Sequence, residues 1–249
     1  MTHMNDNDEL KFLEQVYSTY TVDTSKQTEV MRRLAIKTFK PYIQGGSALE
    51  LGCSDGFMTE QLSRLVKNLD VVDGSKNFLE KAQDRNLENV EFMYGLFETF
   101  NPGKKYDTII ASYILEHVAD PIRILKNARK LLKPDGRLFI VVPNARALSR
   151  QLALHMGLVP DLKNLTENDH NHGHRRVYDR VFLNRDIKLS GLKVINEGGL
   201  MMKILADFQM DDLFNSGVLT DEHVDGLYQL GLEYPDLCGS LYCICAHED

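Results

Sequence analysis

The sequence predicts an α/β fold: one doubly wound, mostly parallel sheet of seven strands, carrying an N-terminal helical lid and two helical insertions. Three observations predict it. From Ser47 to about residue 198, short apolar segments alternate with amphipathic stretches of about ten to fifteen residues. Several segments, 137-RLFIVVP-143 above all, are apolar almost throughout rather than at every second position, as strands covered on both faces are. The chain of 249 residues suits one large domain.

The elements follow in order. Residues 8 to 40 repeat apolar positions at helical spacing (Leu10, Leu13, Val16, Tyr17, then Met31, Leu34, Ala35), interrupted by polar 21-TVDTSKQTE-29 and closed by Pro41. Residues 1–44 are read as the lid, and 45–249 as the α/β domain. Its first strand is 48-ALELG-52 and its first helix 57-FMTEQLSRLVK-67. Strand 69-LDVVDG-74 leads to helix 75-SKNFLEKAQDR-85, begun by a serine cap, and to strand 90-VEFMYG-95. Strand 106-YDTIIAS-112 precedes helix 121-PIRILKNARKLL-132, which has proline in its first turn. Pro134-Asp135-Gly136 turns into strand 137–143. An insertion near 145–177 holds a helix, 147-ALSRQLALHMG-157, and a His-rich loop. Helix 178–191 and strand 192-LKVINEG-198 follow; a second helical insertion, near 200–237, precedes the last strand at 240-SLYCICA-246.

Composition narrows the function. A net charge of −7 disfavours a nucleic-acid backbone as partner, since phosphate binding needs a basic surface. No apolar run approaches the roughly 18 residues that span a bilayer, and the N-terminal MTHMNDNDELKF resembles no secretory or transit signal. A cytoplasmic protein with a small-molecule substrate is the expectation; a homodimer is the one oligomer considered. Cys243 and Cys245 fall on one face of the last strand, read either as small buried side chains in a reducing compartment or, with His247, as a metal site.

The chemistry starts at 52-GCSDG-56. As G-x-S-x-G it matches a hydrolase nucleophile elbow, but Ser54 follows the first strand of the domain and no HGGG-like oxyanion segment precedes it. As a dinucleotide loop its glycine spacing is wrong for G-x-G-x-x-G, and Glu50 would repel a pyrophosphate. A zwitterionic cofactor without phosphate fits: the small residues let the backbone approach, and Ser54 stands where a glycine would. Asp73 ends the second strand, where a carboxylate suits two ribose hydroxyls.

These residues carry a resemblance. The series 49-LELGCSDG-56, Asp73, 95-GLFE-98, 107-DTIIASYILEHVADP-121 and 131-LLKPDGRLFIVVPN-144 resembles the class I S-adenosylmethionine-dependent methyltransferases across most of residues 45 to 198. The resemblance implies a Rossmann-like fold and a methyl transferred from S-adenosylmethionine to a small or medium-sized acceptor, at oxygen before nitrogen. It also implies site roles. Glu50, Gly52, Ser54 and Gly56 would surround the methionine part; Asp73 would hold the ribose, and Gly74 and Ser75 would also contact the cofactor. Leu96 and Phe97 would flank the adenine, with Glu98 near its amino group. Ser112, Tyr113 and His117 would line the floor beneath the sulfonium. The segment 113-YILEHV-118 is similar to ubiquinone-pathway O-methyltransferases, some of which bind magnesium there; Tyr113 replaces the first acid, which leaves Glu116 and His117, so no required metal is expected.

For the acceptor, 169-DHNHGHRRVYD-179 offers His170, His172 and His174 ahead of Arg175 and Arg176. It is read as a base (His174) beside an anion-binding arginine pair, as a metal site, or as a solvated loop. His117, expected in a helix, is read as base, cofactor contact or packing residue. Lys203 is read as a positive group of the acceptor pocket or as solvated. Tyr17 and Tyr20 are read as lid contacts on the cofactor or as ordinary packing. A nicotinamide-dependent oxidoreductase and a non-catalytic S-adenosylmethionine-binding partner are the rival functions.

Overall fold

The computed structural model describes residues 6–19 and 25–248; Tyr20 lies outside them. Seven strands, β1 (Ser47–Leu51), β2 (Asn68–Asp73), β3 (Val90–Tyr94), β4 (Tyr106–Ser112), β5 (Leu132–Pro143), β6 (Leu192–Leu200) and β7 (Ser240–His247), form one sheet in the order β3-β2-β1-β4-β5-β7-β6. β1 to β5 pair in parallel, and β7 inserts antiparallel between β5 and β6. The helices are α1 (Asp6–Thr19), α2 (Lys26–Phe39), α3 (Phe57–Ser63), α4 (Lys76–Gln83), α5 (Pro121–Leu131), α6 (Leu148–His155), α7 (Glu167–Asn171), α8 (Arg180–Leu189), α9 (Asp207–Asn215) and α10 (Asp221–Glu233).

The period of two along each strand divides the core. Ala48, Val71, Ile110, Phe139 and Ile244 point to the face covered by α2, α3, α4, α9 and α10. Their neighbours Leu49, Val72, Ile109, Ile140 and Cys243 point to the face covered by α5 and α8. Both faces are therefore apolar, which is why the strands read as continuous hydrophobic runs. Side-chain caps set the helix starts: Ser75 accepts from Phe78 N at 3.3 Å, Asp120 from Arg123 N at 3.0 Å, and Asp179 from Phe182 N at 2.7 Å.

Several expected boundaries move. α8 begins at Arg180 because Asp179 caps it, and α3 ends at Ser63, four residues early. The turn at Pro134–Gly136 is absorbed into β5, whose pairing with β4 slips between Tyr106 and Thr108. The loop before α8 contains the short helix α7, started by a capping box between Thr166 and Asp169. No helix carries His117; residues 113–118 form turns held by His117 N to Ile114 O at 3.0 Å. The four cysteines are free and buried, and burial pushes the Cys243 thiol up to about 12. Among the described residues no helix is long and apolar enough to cross a membrane.

A cavity at the switch point

Strand order reverses between β1 and β4, and in open parallel sheets the crevice at the carboxyl ends beside such a reversal is where ligands bind. Here that crevice is a cavity of about 390 Å³. Its floor is made by the ends of β1, β2, β4 and β5, and its cover by α1 (Phe12, Leu13, Val16), α2 (Thr28, Met31, Arg32) and α9 (Asp207, Phe208).

The β1–α3 loop turns through three left-handed residues: Gly52 at φ +77°, Ser54 at +48° and Gly56 at +75°. Their positive φ favours glycine at the first and last positions; a Cβ on Gly56 would also press on the Ala82 backbone at 3.0 Å, and one on Gly52 would displace the tip of the Ile114 side chain. Ser54 fits the space but sits where an L side chain is disfavoured. It is a strained substitute for glycine. No hydrogen bond joins Ser54 to a histidine among the described residues, which removes the basis of a nucleophile elbow.

Three carboxyl groups define the electrostatics. Glu50 is 2% exposed; burial pushes it up to about 8, although Thr59 Oγ1 donates to it at 2.6 Å. Asp73 accepts from Cys53 N at 2.9 Å with one oxygen and from Ser75 N at 2.8 Å with the other; burial still raises it. That pairing ties the glycine loop to the start of α4. Glu116 is fully buried, neither of its oxygens has a hydrogen-bond partner among the described residues, and burial pushes it up to about 8. Glu50, Asp73 and Glu116 all line the cavity, as do Gly52, Ser54, Gly74, Ser75, Phe97, Ser112, Tyr113, His117, His172, His174 and Lys203.

Other expected site residues lie elsewhere. Phe97 lines the cavity, but Leu96 and Glu98 do not: Leu96 turns inward, 9% exposed, beneath Gly74. His170 is exposed on the outer side of α7, since neighbours at a spacing of two diverge on a helix. Tyr17 packs edge-on against Phe78, ring centroids 4.9 Å apart. The arginine pair binds protein instead of facing the cavity. Arg175 holds Glu9 of α1 at 3.0 Å and stacks 4.4 Å over the Phe12 ring. Arg176 donates to the backbone carbonyls of Leu115 at 2.6 Å and Ala119 at 3.1 Å. Together with Arg175 N to Glu116 O at 2.8 Å, these contacts fasten the 113–119 turns to the loop after α7. Lys203 and Arg32 both line the cavity, each beside a carboxylate that offsets its charge: Lys203 with Asp207 at 2.6 Å and Arg32 with Asp55 at 2.9 Å.

That fastening makes a histidine cluster. The His117 and His174 rings meet edge-on at 4.8 Å, and His117 Nε2 lies 3.9 Å from a Glu116 oxygen. Burial, with His174 beside it, pushes His117 down to about 3, so it is neutral. Glu116, His117 and His174 bring one donor atom each to within 4.8 Å of one another. The two candidate metal donors seen in the sequence thus become three in space, because His174 arrives from a loop 57 residues away. His174 Nδ1 lies 2.9 Å from Asp169 Oδ1. Sequence reasoning missed Asp169 and Thr59 in supporting roles; the T-x-x-D pattern at 166–169 was the available signal for the first.

The chain matches a family described as methyltransferase domain over residues 21–197. Among curated proteins it is similar to the ubiquinone biosynthesis O-methyltransferase of Actinobacillus pleuropneumoniae, 30% identical over 135 residues, covering 51% of this chain and 57% of that protein. It is also similar to the enzyme of the same name from Vibrio cholerae, 30% identical over 134 residues, covering 51% and 54%. The chain spans about half the length of the curated relatives it matches. Among solved structures, the DhpI complex with S-adenosylhomocysteine superposes with a TM-score of 0.61 at 16% identity, over 97% of this chain and 96% of that one. The N-methyltransferase NodS of Bradyrhizobium japonicum gives 0.58 at 14%, over 97% and 99%. At such identities these likenesses establish the fold.

Proposed function

The chain belongs to the methyltransferase-domain family, class I enzymes that depend on S-adenosylmethionine, and from that premise we propose that it methylates a hydroxyl oxygen of a small, uncharged acceptor. One observation carries the reading: a single cavity joins the acid-flanked glycine loop to the Glu116–His117–His174 cluster. The residues fit the cofactor. Gly52 leaves a cradle that a Cβ would fill, and the buried hydroxyl of Ser112 lacks a partner among the described residues. Glu50 would take the amino group, since a buried carboxyl pushed up to about 8 gains most from an ammonium beside it. Asp73 Oδ1 accepts one backbone N–H and keeps a lone pair for a ribose hydroxyl, while Oδ2 accepts from Cys53 N and, weakly at 3.6 Å, from the Cys53 thiol, which a second hydroxyl would displace. Phe97 offers a face for the adenine.

S-adenosylmethionine supplies a methyl group on a cationic sulfur; the acceptor oxygen gains the methyl, the bonding pair returns to sulfur, and the hydroxyl proton must go elsewhere. His174 would take that proton. His117, neutral through burial, would contact rather than ionise. The ion pairs at Arg32 and Lys203, with Arg175 and Arg176 engaged in the protein, favour a neutral acceptor over the anionic one that the arginine motif suggests.

Titration calorimetry with S-adenosylhomocysteine and with NAD, followed by release of S-adenosylhomocysteine during incubation with phenols, catechols, sugars and carboxylic acids, tests this. Binding of S-adenosylhomocysteine alone, with turnover confined to uncharged hydroxyl compounds, is expected. Failure to bind it, or turnover only with carboxylic acids or amines, refutes the reading.

A further inference from the structure

We propose that Asp169 is a positioning residue that fixes His174 with its proton on Nδ1 and its Nε2 lone pair toward the cavity. This rests on the methyl-transfer reading, in which His174 is the base. The carboxylate of Asp169 is 7% exposed and fully committed. Oδ2 accepts from Thr166 N and Thr166 Oγ1, both at 2.8 Å, and from both terminal nitrogens of Arg150 at 3.3 Å. Oδ1 faces His174 Nδ1 at 2.9 Å. Two arginine nitrogens and two Thr166 donors converge on Oδ2, a donor set that suits an ionised carboxylate. An ionised carboxylate accepts and never donates, so His174 must place its hydrogen on Nδ1.

The backbone makes the pairing obligatory. Gly173, at φ +73°, reverses the chain after α7, and His174 N donates to Asp169 O at 2.8 Å. The same two residues are thus joined through main chain and side chain. With Nδ1 engaged by Asp169, Nε2 is the nitrogen left for the cavity that His174 lines. During transfer the acceptor O–H breaks and an Nε2–H forms; the imidazolium charge then lies against Asp169, which remains an anion throughout. The histidine of a catalytic triad is held in the same way by its aspartate.

The test begins with the wild-type protein, by the ring ¹⁵N shifts of His174 at pH 8, assigned by their loss in His174→Gln. An Nδ1–H tautomer is expected, and an Nε2–H tautomer overturns the proposal whether or not any variant folds. Asp169→Asn, which keeps the size and an acceptor for Thr166, should move the proton to Nε2. It should lower kcat by about a hundredfold or more while S-adenosylhomocysteine affinity stays within about twofold. Asp169→Glu should restore part of the tautomer and part of the rate. A merely structural Asp169 would instead show lost stability and cofactor affinity with the tautomer unmoved, which also refutes the idea. If the wild type has the Nδ1–H tautomer yet methylates no hydroxyl, the proposed function fails and the positioning of His174 stands.

Discussion

Replacing Glu50 by glutamine should stabilise the cofactor-free protein and weaken its cofactor binding together. The side chain is 2% exposed and burial pushes its carboxyl up to about 8 from an ordinary 4.5. An acid raised in the folded state contributes its full stability below the unfolded value and loses it as pH rises through the folded one. The window therefore runs from about 4.5 to about 8, with a slope approaching ~1.4 kcal/mol per pH unit. At about pH 7.5 the folded state still holds the proton that the unfolded chain has lost, which costs about 4 kcal/mol; at about pH 5 the cost is about 1 kcal/mol. Glutamine keeps the shape and an oxygen for the Thr59 hydroxyl, so Glu50→Gln should remove most of this penalty. Glu116 titrates in the same window, so each comparison must pair variant and wild type at one pH. Urea unfolding at both pH values should show the gap widening by about 2–3 kcal/mol, while calorimetry shows S-adenosylhomocysteine weakened about ten- to a hundredfold, the value of one charge-assisted pair. An equal gap at both pH values would refute the burial argument. Unchanged affinity would refute the role at the amino group.

Ser54→Gly should retain cofactor binding and raise stability by about 0.5–1 kcal/mol in thermal melts, because it relieves a left-handed serine at φ +48°; stoichiometric labelling of the wild type at Ser54 by a fluorophosphonate probe would contradict the glycine-substitute reading. Arg175→Ala removes the clasp on Glu9 and Phe12, so stopped-flow release of S-adenosylhomocysteine should accelerate about three- to tenfold. An effect confined to the acceptor KM would return this arginine to the acceptor site. Dialysis against a chelator should leave turnover unchanged if the Glu116–His117–His174 cluster works through protons; loss of activity restored by a divalent ion would make it a metal centre.

What the sequence determined is local. A period of two with both faces apolar specifies strands for a covered sheet, and the Ser75 cap and Pro121 in a first turn specify where two helices begin. The left-handed turn at Gly52 and Gly56 and the carboxylate closing β2 at Asp73 were legible because they depend on backbone shape and on position at strand ends. The tertiary structure alone decided the acceptor side. His170, His172 and His174 look alike at alternating spacing, yet a short helix and the reversal at Gly173 turn His170 outward and bring His174 against His117 and Asp169. Arg175 and Arg176 read as an anion site because nothing nearby in sequence names their partners: Glu9 lies 166 residues away and the Leu115 carbonyl 61. A charged side chain is claimed by whichever partner the fold brings within about 3 Å, and pairings over such separations leave no periodicity or turn chemistry in the sequence.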